Sequence, residues 1–174
     1  TGPAIELGRS FVSPGWQRSF QPLRLLWAGI AAVLAREPQV CYLFGPVSIS
    51  PSYSLAARKL IAGALSRHHA DAELQELIAP LHPLDDAREP AAHRNVISAL
   101  ADPKLLSRAI ARLEQGPGLP VLLRHYLELN GRFAGFNVDD SFGGTLDGLV
   151  FVNVADIPPR TLEHFLKAGG ADAG

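Results

Sequence analysis

Prolines cut this chain into short pieces, and that limits what it can become. Fourteen of its 174 residues are proline. Pro80, Pro83, Pro90 and Pro103 fall within the stretch of the sequence richest in helix formers. There each proline removes a backbone donor and crowds the preceding turn. One long helix is excluded, and what remains is an alternation of short elements.

That alternation can be followed along the chain. Residues 4–12 predict a strand and residues 13–21 a turn of Pro, Gly and polar groups. From Pro22 to Arg36, Leu23, Leu26, Trp27, Ile30, Val33 and Leu34 recur at helical spacing, and Pro22 suits a first helical turn. Glu37-Pro38 ends that helix. "QVCYLFGPVSIS" is a continuous apolar run with a β-branched and aromatic bias, the pattern of a buried strand. Ser52 or Ser54 can cap a helix from Leu55 to Arg67. Helical segments follow around residues 72–78, 90–101 and 103–114; Gly116 to Pro120 breaks the pattern, and 121–129 is helical again. Strands at 132–138 and 147–154 flank the turn "DDSFGG", and Pro158 opens a last helix before a Gly/Ala tail. The order predicts a mixed α/β domain with a helical excursion in its middle.

The length suits one domain with a real core. With a formal net charge of −1, the chain has no global attraction for nucleic acid or an anionic membrane. A lone Cys41 excludes an internal disulfide framework and predicts a reducing, cytoplasmic setting. Spanning a bilayer takes roughly 20 apolar residues. The best stretch, Leu25 to Ala35, is about half that and ends at Arg36. No signal peptide is visible. Methionine is absent even from position 1, so the sequence is expected to be a fragment or a processed product.

"IELGRSFVSPGW" places a carboxylate, Glu6, and a guanidinium, Arg9, on either side of Gly8. On a regular strand the two charges would point apart, and a glycine between them is where a bulge is tolerated. Strand, then "SPGWQRS", then helix is an order that presents backbone N–H groups and a helix start to an anion. Walker A and G-x-G-x-x-G patterns are both absent.

"ELGRSFV" entering "P-x-x-[RK]", the amphipathic "LLWAGI" and then "YLFGPVSIS" resemble the hemolysin-like branch of GNAT-fold N-acyltransferases. The branch includes ornithine–acyl-carrier-protein N-acyltransferases and long-chain N-acyl amino acid synthases, with acyl-homoserine-lactone synthases as neighbours. "YLELNGRFAGFNVDDSFGGTLDGLVFVNV" followed by "PPRTLEHFL" is similar to the end of the same branch, so the resemblance covers nearly the whole chain. It implies an α/β, GNAT-like mixed sheet with flanking helices and a helical insertion. Residues 1–168 would form the C-terminal portion of the domain, without its early strands, and 169–174 a flexible tail. One side of the central strand would then lack a neighbour, to be covered by an N-terminal companion polypeptide or by homodimerisation.

The resemblance also implies roles. Glu6 and Arg9 match the family's E-x-x-R pair. Ser10, Phe11 and Val12 match the strand whose backbone pairs with the pantetheine arm, and Gln17, Arg18 and Ser19 the loop that receives its phosphate. Tyr42 to Ser50 match the strand that splays away to make the acyl cleft, with Phe44, Val47 and Ser48 against substrate. Tyr53 falls where many GNAT enzymes keep a tyrosine acid. No cofactor would be bound permanently. The donor would be an acyl-phosphopantetheine thioester on acyl carrier protein or coenzyme A, long-chain and in some relatives 3-hydroxylated. The acceptor would be the amine of an amino acid such as ornithine or glycine, for aminolipid synthesis in the cytoplasm or at the inner membrane. Arg18, Arg24, Arg58 and Lys59 would meet the acidic carrier. The alternative is a non-catalytic half that binds carrier or membrane and needs a second polypeptide.

Other groups carry less. His68-His69 near Asp71 are expected to face solvent at a helix end, and the remaining histidines lack ligand spacing. Neither G-x-S-x-G nor H-x-x-x-x-D occurs, which excludes an α/β-hydrolase elbow and a glycerolipid O-acyltransferase centre. Cys41 is expected in the core, and nothing supports Thr1 as a nucleophile. Asp139, Asp140, Phe142 and Asp147 form an acidic, aromatic corner that reads first as turn chemistry and otherwise as a contact for a cationic acceptor.

Overall fold

The computed structural model describes residues 2–8, 10–16, 19, 21–84 and 91–170. Its elements alternate as β1 (Ala4–Glu6), α1 (Gln21–Arg36), β2 (Tyr42–Ile49), α2 (Leu55–His68), α3 (Ala72–Leu77), α4 (Ala91–Ala99), α5 (Pro103–Glu114), α6 (Val121–Glu128), β3 (Arg132–Asp139), β4 (Thr145–Asn153) and α7 (Pro159–Gly170). The strands form one sheet in the order β1-β2-β4-β3. β1 runs parallel to β2, while β4 is antiparallel to both β2 and β3. The expected mixed α/β sheet with flanking helices is present, and α3, α4 and α5 make the helical excursion.

The strand expected over residues 4–12 stops at Glu6. Pro46 of β2 explains the stop. Ala4, Ile5 and Glu6 lie opposite Tyr42, Leu43 and Phe44, and the Leu7 N–H donates to the Phe44 carbonyl at 2.7 Å. In a parallel ladder the next bond would join the Leu7 carbonyl to the N–H of residue 46. A proline has none. Leu7 also comes so near that a Cβ on Gly45 would lie 2.6 Å from its carbonyl oxygen, so only glycine fits there. Beyond this point the two strands part. Pro46 does not harm the other side of β2, because Gly45 and Val47, not residue 46, turn their amides toward β4.

One face of the sheet is sealed. Leu43, Val47 and Ile49 of β2 and Leu146, Val150 and Val152 of β4 are buried, joined in one cluster by α2 residues such as Ile61 and Leu65. The indole of Trp27 on α1 stacks on Phe165 of α7 at 5.3 Å and meets Tyr126 of α6 edge-on at 5.4 Å, tying three helices together. The helical periodicity of residues 22–36 is therefore right, but its inward face is narrower than expected. Leu26 and Val33 are exposed, whereas Ala28 and Ala31 are buried.

Caps explain several boundaries. Ser54, not Ser52, caps α2 by accepting from the Ala57 N–H at 3.2 Å. Asp71 and Asp102 do the same for α3 and α5. After α5 the chain turns through Gln115 in the left-handed conformation, with φ of 49°. Cys41 is only partly buried, since it precedes β2 at the rim of the sheet.

Candidate functional site

Two surfaces near the end of β1 carry the expected site residues that can be placed. The first is the uncovered face of the sheet. Alternation along β2 turns Tyr42, Phe44, Pro46 and Ser48 to this side, each at least partly exposed. The register places Glu6 beside Phe44 on the same face, and Phe44 stacks on Phe151 of β4 with ring centroids 5.6 Å apart. Glu6 is exposed, with its carboxylate over Gly8: a Cβ there would lie 2.9 Å from Glu6 Oε1. Any side chain at position 8 would displace that carboxylate. Gly8 therefore gives Glu6 room rather than making a bulge within a paired strand.

The second surface is a groove of about 850 Å³ between the segment after β1 and the start of α1. Ser10, Phe11 and Val12 line it together with Trp16, Leu26 and Leu122. These three residues after β1 are not in a strand, which corrects the expectation of continuous ladder backbone through Val12. Phe11 is 88 % exposed and Trp16 60 %, so a large apolar surface faces the groove and solvent. The groove sits beyond the carboxyl end of β1, where open α/β sheets commonly bind ligands. Ser19 accepts from the Gln21 N–H at 3.2 Å and so closes the first turn of α1. Arg9, Gln17 and Arg18 lie outside the described residues.

The remaining expected positions separate. Phe44 and Ser48 face the open side. Val47 is 1 % exposed and belongs to the core, so its side chain points away from the open face that Phe44 and Ser48 share; the two-residue period of the strand requires this. The Tyr53 hydroxyl donates to the Gly118 carbonyl at 2.8 Å. Burial, with the nearby Glu114 carboxylate, raises its pKa and keeps it protonated. Arg58 donates to the Gly144 carbonyl at 2.7 Å, which ties its guanidinium to the turn between β3 and β4.

The histidines expected in solvent are partly buried instead. His68 Nε2 bonds the Ile97 carbonyl at 2.9 Å, joining α2 to α4, and burial lowers the pKa of His69. In the acidic corner, Asp139 accepts from the Ser141 N–H at 2.9 Å and Phe142 is exposed, which is turn chemistry. Asp147 parts from them: it lies within β4, on the open face. Sequence reasoning also missed Glu114, which accepts from the Ser54 hydroxyl at 2.6 Å and holds the start of α2. Among the described residues no group of His, Cys, Asp and Glu side chains could hold a metal ion, and no helix is long and apolar enough to cross a membrane.

Comparison with curated proteins finds two similar chains. A glycine N(alpha)-acyltransferase of Phocaeicola vulgatus is 29 % identical over 178 residues, covering 94 % of this chain and 53 % of that protein. A glycine N(alpha)-acyltransferase of Bacteroides thetaiotaomicron is 31 % identical over 164 residues, covering 88 % of this chain and 48 % of that protein. The chain thus spans about half the length of the curated relatives it matches. No family model matches the chain, and no solved structure matches it.

Proposed function

We propose that this chain belongs to an N-acyltransferase that moves a long acyl group from a phosphopantetheine thioester to the amine of an amino acid. The observation that carries the reading is the similarity to two glycine N-acyltransferases across nearly all of the chain. The parted strands and the apolar groove are what such chemistry requires, a slot for the thioester arm and a surface for the chain behind it. Glycine is the first acceptor to test because the relatives carry that name; ornithine follows from the sequence motifs. Acyl carrier protein is the favoured donor, with coenzyme A as its competitor, and synthesis of an aminolipid is the purpose.

In the step, the amine nitrogen attacks the thioester carbonyl, a C–N bond forms and the C–S bond breaks. The amine must lose a proton, and the thiolate must gain one. Glu6 is proposed as the base that takes the first proton, directly or through water. Its place on the open face beside the parting strands supports that role. Backbone N–H groups near residues 10–12 would steady the oxyanion. Arg9 would orient Glu6 or the acceptor carboxylate, and Gln17, Arg18 and Ser19 would receive the pantetheine phosphate. Phe44 and Ser48 would border the substrate. Tyr53, as the acid for sulfur, would have to turn its hydroxyl away from Gly118.

The experiment is direct. The purified chain is incubated with glycine or ornithine and palmitoyl thioesters of acyl carrier protein and of coenzyme A, and N-acylated product is sought by mass spectrometry. Product from the carrier thioester sustains the reading; a folded chain that yields none from either donor overturns it.

One observation favours a second reading, in which the chain is a binding half completed by another polypeptide or by its own copy. β1 stands at the sheet edge, no described strand pairs its outer side, and the open face carries Phe44, Leu149 and Phe151 with only partial cover.

A further inference from the structure

The open face carries a second feature away from Glu6. Ser48, Asp147 and Asn137 lie abreast on β2, β4 and β3. Beside them a slot of about 270 Å³ has Pro46, Leu149 and Gly135 in its floor and Ile78 to Leu81, the segment after α3, in its roof. The roof is fastened to the sheet: the Val138 N–H donates to the His82 carbonyl at 2.8 Å, and the His82 N–H to Asn137 Oδ1 at 2.7 Å.

Asp147 is the one charged side chain in the lining, and it is short of donors. Its Oδ1 is buried with no hydrogen-bond partner. Neither neighbour in the row supplies one. Asn137 gives one of its two amide hydrogens to the Val138 carbonyl at 3.1 Å and accepts from His82, and its amide makes no bond to Asp147 Oδ1. Burying one carboxylate oxygen without a donor is costly, and a cation that brings hydrogen-bond donors would relieve it. The remaining walls are aliphatic.

We infer that this slot is a binding site for a primary ammonium group on a short apolar stem, with Asp147 as the residue that recognises it. An ammonium supplies three donors and a full positive charge, and its stem packs against Pro46, Leu149 and Ile78. An alcohol of the same shape would leave the carboxylate without a counter-charge. The site is separate from the proposed chemistry at Glu6. The rows of Phe44 and Ser48 are four residues apart on β2, about 13 Å at the usual strand rise. A group held at Asp147 is therefore not the amine that Glu6 would deprotonate, and the inference does not depend on acyl transfer.

The test reads binding alone. The full chain, labelled with 15N, is titrated with n-butylammonium chloride and, separately, with n-butanol, following the amides of Gly135, Asn137 and Leu149. Saturable shifts at these positions with the ammonium, and none with the alcohol, are expected. Asp147→Asn should weaken ammonium binding about ten-fold or more, the loss of one charge-assisted contact. Gly135→Ala is the second variant. Its methyl would stand 3.7 Å from Pro80 Cδ, an ordinary contact, so the fold is kept while the slot shrinks. It should weaken binding of n-butylammonium while Asp147 remains. Equal shifts with ammonium and alcohol, or undiminished ammonium binding in Asp147→Asn, would overturn the assignment. If Asp147→Asn does not fold, unchanged affinity in Gly135→Ala overturns it.

Discussion

The two faces of β2 behave as if they belonged to different proteins. Leu43, Val47 and Ile49 are sealed under helices, whereas Tyr42, Phe44, Pro46 and Ser48, alternating with them, meet partial cover or solvent. Both faces come from one eight-residue strand. The difference shows where each property resides: the covered face holds the fold together, and the open face carries the carboxylates, the stacked rings and the parting of the strands. A change on one side should register mainly as stability, and a change on the other as recognition or catalysis.

The largest effect expected tests the covered face. Leu65 of α2 is fully buried in the cluster that joins α2 to the sheet. Leu65→Ala should cost about 2–5 kcal/mol, since it removes packed methyl groups and leaves a cavity. Most small domains have only about 5–15 kcal/mol in hand. Urea denaturation measures it, and a loss below about 1 kcal/mol would mean that α2 is not a structural partner of the sheet.

Glu6→Gln addresses the open face next. The side chain is exposed and its removal should leave the urea midpoint where it was. Acyl transfer should fall about 100-fold, the scale for loss of a general base. Turnover within a few-fold of the wild type would reduce Glu6 to a surface charge and break the proposed division between the faces.

A smaller effect belongs to the Phe44–Phe151 stack. Phe151→Ser removes one ring from a contact that is worth about 0.5–1.5 kcal/mol beyond its buried area. If the open face and the β1 edge are covered by a second copy of the chain, the variant should also shift the sedimentation coefficient toward monomer. A wild-type chain that sediments as a stable monomer with acyltransferase activity would remove the need for any companion.

Much of this is legible in the residues alone. The periodic spacing of Trp27, Ile30 and Leu34 located α1, and the apolar run at 42–49 located β2, because both signals are local. The length of β1 was not legible. Its end is decided by Pro46, some forty residues on, and only the register shows that position 46 would have had to donate to Leu7. The motif as a block groups Val47 with Phe44 and Ser48, although alternation along the strand separates it from them. Glu114 could not have been found, since its partner Ser54 is 60 residues away and nothing in either segment names the other. Sequence proximity groups the carboxylate at 147 with Asp139 and Asp140, whereas the strand carries it onto the open face opposite Ser48.

The smallest effect concerns protons, and it returns to the covered face. His125 of α6 lies against Trp27 and Phe165, with ring centroids 5.9 Å from each, and its Nδ1 is buried without a partner. Burial lowers its pKa below the usual 6.5, Arg124 and His164 push the same way, and Glu128 opposes them. The folded chain thus holds His125 neutral at a pH where the unfolded chain has begun to protonate it. Between those two pKa values the unfolded state binds more protons, so stability increases with pH across that window and is lost on acidification below about 6.5. His69 at the C-terminal cap of α2, lowered chiefly by burial, adds in the same direction. The melting temperature should therefore drop between pH 7.5 and pH 5.5, and His125→Gln should make that drop smaller without abolishing it, because His69 remains. An identical pH dependence in the variant would show that the ring at 125 reaches water, and that the face beneath α6 is less closed than the packing of Trp27, Tyr126 and Phe165 requires.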